Sequence, residues 1–149
     1  MNVPKLISIV IPVLNEEEGL KKVLDEIPKK ELEEMGYKCE IIVVDGGSTD
    51  RTREIAKKNG AKVIVEPRKG YGRAYKTGFS HANGDVIVTL DGDYSYPAFL
   101  IPKLVKMLET HGLDFISTNR LKKFTCKSFP TLRIIGNKIL THLTNLLFW

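Results

Sequence analysis

The stretch Ile41-Ile42-Val43-Val44-Asp45-Gly46-Gly47-Ser48-Thr49-Asp50 decides the fold. A branched apolar run too short for a helix ends at an acid, crosses a glycine-rich turn and reaches a residue suited to capping a helix. Asp50 therefore starts a predicted helix that runs to about Asn59, with Gly60 as its stop. The same alternation recurs on either side. Segments 6–11, 40–44, 62–65, 85–90 and 114–117 read as strands, apolar enough to be buried on both faces. Between them, Leu20, Val23, Leu24 and Ile27 fall at helical spacing ahead of Pro28. Segments 71–82 and 99–111 supply two more helices, ended by Asn83-Gly84 and Gly112. Strands alternating with helices predict an α/β fold, a mostly parallel sheet flanked by helices.

A chain of 149 residues fits one compact core and argues against two. Its apolar fraction of 42% and charged fraction of 28% exclude wholesale disorder. Cys39 and Cys126 lie far apart with no CxxC spacing, so they read as reduced thiols and not as a zinc site or disulfide framework. No run approaches the roughly 20 apolar residues of a membrane span. The apolar opening, interrupted by Ser8 and Pro12, lacks a basic leader, and a cytoplasmic location is expected. The net charge of +5 is unevenly placed. Every acid lies at or before Asp114, whereas Arg120, Lys122, Lys123, Lys127, Arg133 and Lys138 follow with no acid among them. Such a tail suits an anionic partner (phosphate, nucleic acid or a membrane surface) or is simply a solvated basic face.

In an open parallel sheet, ligands bind beyond the carboxyl ends of the strands. Three polar clusters fall there: Pro12-Val13-Leu14-Asn15-Glu16-Glu17, Asp45-Gly46-Gly47-Ser48-Thr49-Asp50 and Asp91-Gly92-Asp93-Tyr94-Ser95. Two carboxylates one residue apart at a strand end, Asp91 and Asp93, can share a hard divalent cation and leave positions open for phosphate oxygens. A solvated Asp-Gly turn gives the same spelling. Asp45 can accept from the imide N–H of a nucleobase, or it can bond local backbone amides. Asn15 and Glu16 follow the first strand, where acids also suit a first helical turn. The loop Arg68-Lys69-Gly70-Tyr71-Gly72-Arg73 can offer cations and backbone amides to a diphosphate, yet it matches neither a dinucleotide fingerprint nor a P-loop. From Ile135 to Leu147 the chain is two-faced as a helix, for packing on a core or partner or for lying on lipid. His142 sits on its polar face.

In order, Ile7-Ser8-Ile9-Val10-Ile11-Pro12-Val13-Leu14-Asn15-Glu16, Val44-Asp45-Gly46-Gly47-Ser48-Thr49-Asp50, Gly70-Tyr71-Gly72-Arg73-Ala74, Leu90-Asp91-Gly92-Asp93 and Ser117-Thr118-Asn119-Arg120 resemble family 2 glycosyltransferases of the GT-A (Rossmann-like) fold. Among these the resemblance is to polyprenyl-phosphate sugar transferases such as dolichol-phosphate mannosyltransferase. It implies a metal-dependent, inverting transfer of a sugar from a GDP- or UDP-sugar to a polyprenyl phosphate. On that pattern Pro12, Val13, Asn15, Glu16 and Asp45 line the nucleoside pocket, and Gly47, Lys69, Arg73 and Gly92 join the donor contacts. Asp91 and Asp93, with Ser95, hold Mg2+ or Mn2+, while Arg120 and Arg133 bind phosphate of the donor or acceptor. Asp91, Asp93 and Arg120 carry the catalytic expectation. Residues 1–120 then form the nucleotide-sugar domain, and 121–149 form a basic, amphipathic acceptor-side segment in peripheral contact with the cytoplasmic face of a membrane. Relatives continue well past Trp149, so the alternative is a truncated nucleotide- and metal-binding domain that transfers nothing. An exposed apolar face at the end of the chain implies self-association or lipid contact. A nucleic-acid partner is not expected, because the basic tail lacks the interleaved aromatics that stack single strands.

Overall fold

The computed structural model describes residues 5–118 together with His142, which is helical and exposed. The chain divides into the units Met1–Ile116 and Ser117–Trp149, and the architecture below is that of the first. Its elements in chain order are β1 (Lys5–Val13), α1 (Glu17–Glu26), α2 (Lys29–Glu34), β2 (Tyr37–Asp45), α3 (Thr52–Lys58), β3 (Lys62–Val65), α4 (Tyr71–Ser80), β4 (Val86–Thr89), a 3-10 turn (Ala98–Leu100) and α5 (Ile101–Thr110). The four strands form one parallel sheet in the order β3-β2-β1-β4. The chain thus steps outward from β1 through β2 to β3, then crosses back to lay β4 on the other side of β1. That reversal is a topological switch, and open α/β sheets bind ligands outside the carboxyl ends of the strands at such a point.

Side-chain alternation sorts β1 between two cores. Ile7, Ile9, Ile11 and Val13 pack with Leu20, Val23 and Leu24 of α1, Ala56 of α3 and Ile101 and Val105 of α5. Val10 turns the other way and joins Ile42, Val44 and Ala74 of α4. Burying each such branched side chain contributes about 1.5–3 kcal/mol. Pro12 lies beyond the last β1–β4 pair, Val10 with Thr89, so its missing N–H falls outside that ladder.

Three expectations differ from the structure. Burial on both faces holds for β1 and β2, but the edge strands β3 and β4 are half covered, with Val65 and Ile87 exposed. Segment 114–117 is not a strand: Phe115 is 80% exposed, and two apolar residues without a covering layer give a strand nothing to bury. The additional helix α2 follows Pro28 directly, because a proline that ends one helix also suits the entry to the next. The basic segment, Arg120, Arg133 and the two-faced stretch, His142 aside, lie outside the described residues, as does Cys126. Cys39 is a free, half-covered thiol.

Candidate functional site at the carboxyl edge of the sheet

The loops after β1 and β2 are stitched together. The Asn15 amide donates to Ser48 Oγ at 2.9 Å, and Asn15 Oδ1 accepts from the Thr49 amide at 2.8 Å. Asn15 reaches this position at φ 55°, a region asparagine tolerates better than most residues. The helix starts are also shared. The Glu16 amide donates to Thr52 Oγ1 at 2.9 Å and the Glu17 amide to Asp50 Oδ2 at 3.2 Å. In return, Glu17 Oε2 accepts from the Arg51 amide at 3.0 Å. Asp50 Oδ1 takes the Thr52 amide at 3.0 Å, so Asp50, one residue ahead of the N-cap Arg51, holds the first amide of α3 and, through Glu17, steadies α1 as well.

Asp45 is fully buried. Its carboxylate accepts from the Gly47 amide at 3.2 Å and the Ser48 amide at 3.1 Å, and Arg53 Nε lies 3.4 Å away. Of the two roles open from sequence, bonding to local backbone amides is the one the side chain performs here. The neighbouring Gly46 and Gly47 are exposed and form the outer surface of this loop.

The Asp91-Gly92-Asp93 loop sits directly on the end of β1. A Cβ on Gly92 would meet Val13 Cγ1 at 2.6 Å, and one on Gly19 would meet the Gly92 carbonyl oxygen at 2.5 Å. Only hydrogen at both positions lets this loop close onto the end of β1 and the start of α1. Pro12 and Val13 are buried and form the floor, while Glu16 and Asp91 are half covered and Asp93 and Ser95 are exposed. Glu16 holds its proton more tightly than an ordinary glutamate. Burial is the main cause, followed by the negative charges of Asp93, Asp50 and Asp91. Four carboxylates, Glu16, Asp50, Asp91 and Asp93, from the loops after three strands therefore share one patch of negative potential.

Tyr71 and Tyr75, on the first turns of α4, both donate to Asp91 Oδ1, Tyr75 at 3.3 Å. The Ser95 amide donates to Asp93 Oδ1 at 2.9 Å. It is the amide of Ser95, not its hydroxyl, that is seen engaged with Asp93. Oδ2 of both aspartates has no hydrogen bond among the described residues. The donor set fits a hard divalent cation of the Mg2+ or Mn2+ kind. Such ions bind through one or two carboxylates and complete their shell with water and substrate phosphate. Among the described residues, no group of three or more His, Cys, Asp or Glu is placed to hold a metal ion.

Lys69 and Arg73 are exposed on the rim and make no ion pair among the described residues. Their loop is anchored by Glu66, a residue that sequence reasoning passed over. Glu66 is 3% exposed and accepts from Arg68 Nε at 2.7 Å, Arg68 Nη2 at 2.6 Å and Thr77 Oγ1 at 2.5 Å. Arg68 first and Thr77 second hold its carboxyl well below the usual carboxylate range. A carboxyl whose native value is depressed stabilises the fold fully above the ordinary glutamate value of 4.5, and that contribution fades as pH falls below it. Glu66→Gln is accordingly expected to lower the thermal midpoint at pH 7, with the gap to wild type narrowing steadily from pH 5 to pH 3. A gap independent of pH would show that the ionised pair is not what matters. Tyr75 and Glu66 carry no sequence motif of their own, and Tyr71 lies in the Gly70-Tyr71-Gly72-Arg73-Ala74 stretch without a role attached to it. The only signal is two tyrosines four apart at the start of a helix, beside a strand-end acid.

This sheet order, with an Asp-Gly-Asp loop seated on the central strand at the switch point, defines a GT-A-type α/β domain. The crystal structure of glucosyl-3-phosphoglycerate synthase from Mycobacterium tuberculosis, in complex with Mn2+, UDP and glucosyl-3-phosphoglycerate, superposes with a TM-score of 0.58. The match is at 34% identity, over 70% of this chain and 39% of that one. The chain belongs to glycosyl transferase family 2, whose model matches residues 8–147. In Haloferax volcanii, the low-salt glycan biosynthesis hexosyltransferase Agl6 is 39% identical over 144 residues, 95% of this chain and 34% of that protein. A dolichyl-phosphate hexose transferase of the same organism is 33% identical over 141 residues, 95% of this chain and 59% of that protein. The chain thus spans between a third and three-fifths of the length of these two relatives. No helix among the described residues is long and apolar enough to cross a membrane.

Proposed function

We propose that the domain binds the diphosphate of a nucleotide-sugar at the carboxyl edge of its sheet, with Asp91 and Asp93 holding Mg2+ or Mn2+. We further propose that it serves an inverting transfer of the sugar to a polyprenyl phosphate. The observation that carries this reading is the seating of the Asp-Gly-Asp loop on β1, which gathers Asp91, Asp93 and Glu16 at the topological switch. Asp91 and Asp93 would hold the cation, which would supply Lewis-acid stabilisation of the negative charge on the nucleoside diphosphate. The chain's own residues hold and shape the site. Asp45 fixes the Gly46-Gly47 loop against which a nucleoside would lie, the Asn15–Thr49 bond keeps that loop beside β1, and Lys69 and Arg73 offer cations to phosphate oxygens. Residues 1–120 constitute the donor side in this reading. Arg120, Arg133 and the basic stretch 121–149 act on the acceptor side, at a membrane surface. Ser95 is a third candidate for the cation.

The phosphate acceptor in this reading is supported by a relative at 33% identity that is named for dolichyl phosphate. A phosphate monoester has its second pKa near ~6 and is already anionic at neutral pH. Arginines that position it can therefore replace a general base. The test is a titration of the chain with UDP and GDP, with and without Mn2+, followed by turnover of UDP-glucose and GDP-mannose onto a polyprenyl phosphate and onto 3-phosphoglycerate. Mn2+-dependent binding of one nucleotide and transfer to the polyprenyl phosphate are expected. Flat titrations with both nucleotides would end the donor-site reading, and transfer to phosphoglycerate alone would end the polyprenyl one.

A further inference from the structure

Asp91 differs from Asp93 in how it is held. Asp93 is restrained within its own loop by the Ser95 amide, whereas Asp91 is gripped from another element. Tyr71 opens α4 immediately after Gly70, whose φ of 132° turns the chain into the helix. One turn later Tyr75 lies edge-on to the Tyr71 ring, with centroids 4.9 Å apart, and stacks on Phe79 at 5.6 Å. The two hydroxyls are 3.2 Å from each other, and both meet the same carboxylate oxygen, Asp91 Oδ1. The helix that carries them is fixed to the sheet, since Ala74 and Gly78 are buried against the face bearing Val10 and Val44. The far end of the ladder is therefore anchored, and its near end grips one oxygen of a candidate metal ligand while leaving the other without a hydrogen bond among the described residues.

We propose that Tyr71, backed by Tyr75, is a positioning residue that clamps Asp91 Oδ1 and so sets the plane in which this carboxylate presents Oδ2 to a divalent cation. The inference rests on the proposed role of Asp91 and deepens it. It assigns α4, and not only the strand ends, a part in building the cation site. A hydrogen bond to a ligating carboxylate fixes its orientation before the ion arrives, and losing such a partner typically costs about 10–100-fold in metal affinity. Tyr71 is 61% exposed, so removing its hydroxyl leaves the packing of α4 in place.

The experiment compares wild type, Tyr71→Phe, Tyr75→Phe and Tyr94→Phe in the full chain. Tyr94 donates instead to Glu26 Oε1 at 2.8 Å, so its variant loses a bond of the same loop without touching Asp91. Mn2+ is titrated in the presence of saturating UDP or GDP, whichever binds, and free Mn2+ is followed by electron paramagnetic resonance. Thermal unfolding in EDTA is recorded alongside. Tyr71→Phe is expected to weaken Mn2+ binding by ~10-fold, Tyr75→Phe by less, and Tyr94→Phe not at all, with unfolding of Tyr71→Phe in EDTA close to wild type. Unchanged or tighter Mn2+ binding in Tyr71→Phe overturns the clamp and leaves the donor-site reading standing. An equal loss in Tyr94→Phe also overturns it, because loop integrity then explains the effect. A wild type that binds no Mn2+ with either nucleotide overturns both.

Discussion

Alanine at both Asp91 and Asp93 is expected to remove the Mn2+-dependent part of nucleoside diphosphate binding, a loss of at least ~100-fold, because partners that merely orient a ligand already account for 10–100-fold. The protein should nevertheless fold. Asp93 is exposed and Asp91 half covered, and neither belongs to the two buried cores. Glu16, which sits in the field of both, loses two of the three negative neighbours that raise its pKa. In EDTA the double variant should therefore unfold no earlier than wild type, and isothermal titration with Mn2+ plus UDP or GDP should separate the two proteins. Equal Mn2+-dependent affinity in the two would remove these carboxylates from the site.

The second large effect is structural. Gly78 lies in α4 where the helix is pressed onto the sheet, and a Cβ there would stand 2.3 Å from Val10 Cγ1 and 3.2 Å from Val44 Cγ2. Both valines are 0% exposed and belong to the two central strands, so neither has room to retreat. Gly78→Val forces α4 outward and is expected to cost about 3 kcal/mol, the upper end for overfilling a packed core. Urea denaturation should show a lower midpoint with an unchanged slope. Because Tyr71 rides on the same helix, the surviving folded fraction should also bind Mn2+ more weakly. A variant as stable as wild type would mean that α4 does not rest on Val10 as described.

Much of this fold is legible from residue patterns, for reasons that can be named. In β1 and β2, the runs of Ile and Val have no polar interruption long enough to suit a surface, and both end at polar turns, so the strands and their carboxyl edge follow directly. The Asp91-Gly92-Asp93 loop is placed by the same rule. Where burial depends on what lies alongside, the pattern falls short. Segments 62–65 and 85–90 read like central strands, yet β3 and β4 are edges. Segment 114–117 resembles them and pairs with nothing in the described sheet. In α2 the only buried residue is Leu32, too little periodicity to mark a helix. The two readings of Asp45 differ only in where its oxygens point, which becomes known once Ser48 and Arg53 close around it. The grip of Tyr71 on Asp91 joins residues 20 apart and depends on where α4 crosses the sheet.

The exchanged helix caps between α1 and α3 have a consequence for ligand capture. Each helix start borrows at least one acceptor from the other, so fraying of either one strips bonds from both, and the two loops hold or melt as a pair. A rim tied in this way has spent its conformational entropy during folding. An arriving ligand then meets groups already in place and forfeits less affinity to ordering them.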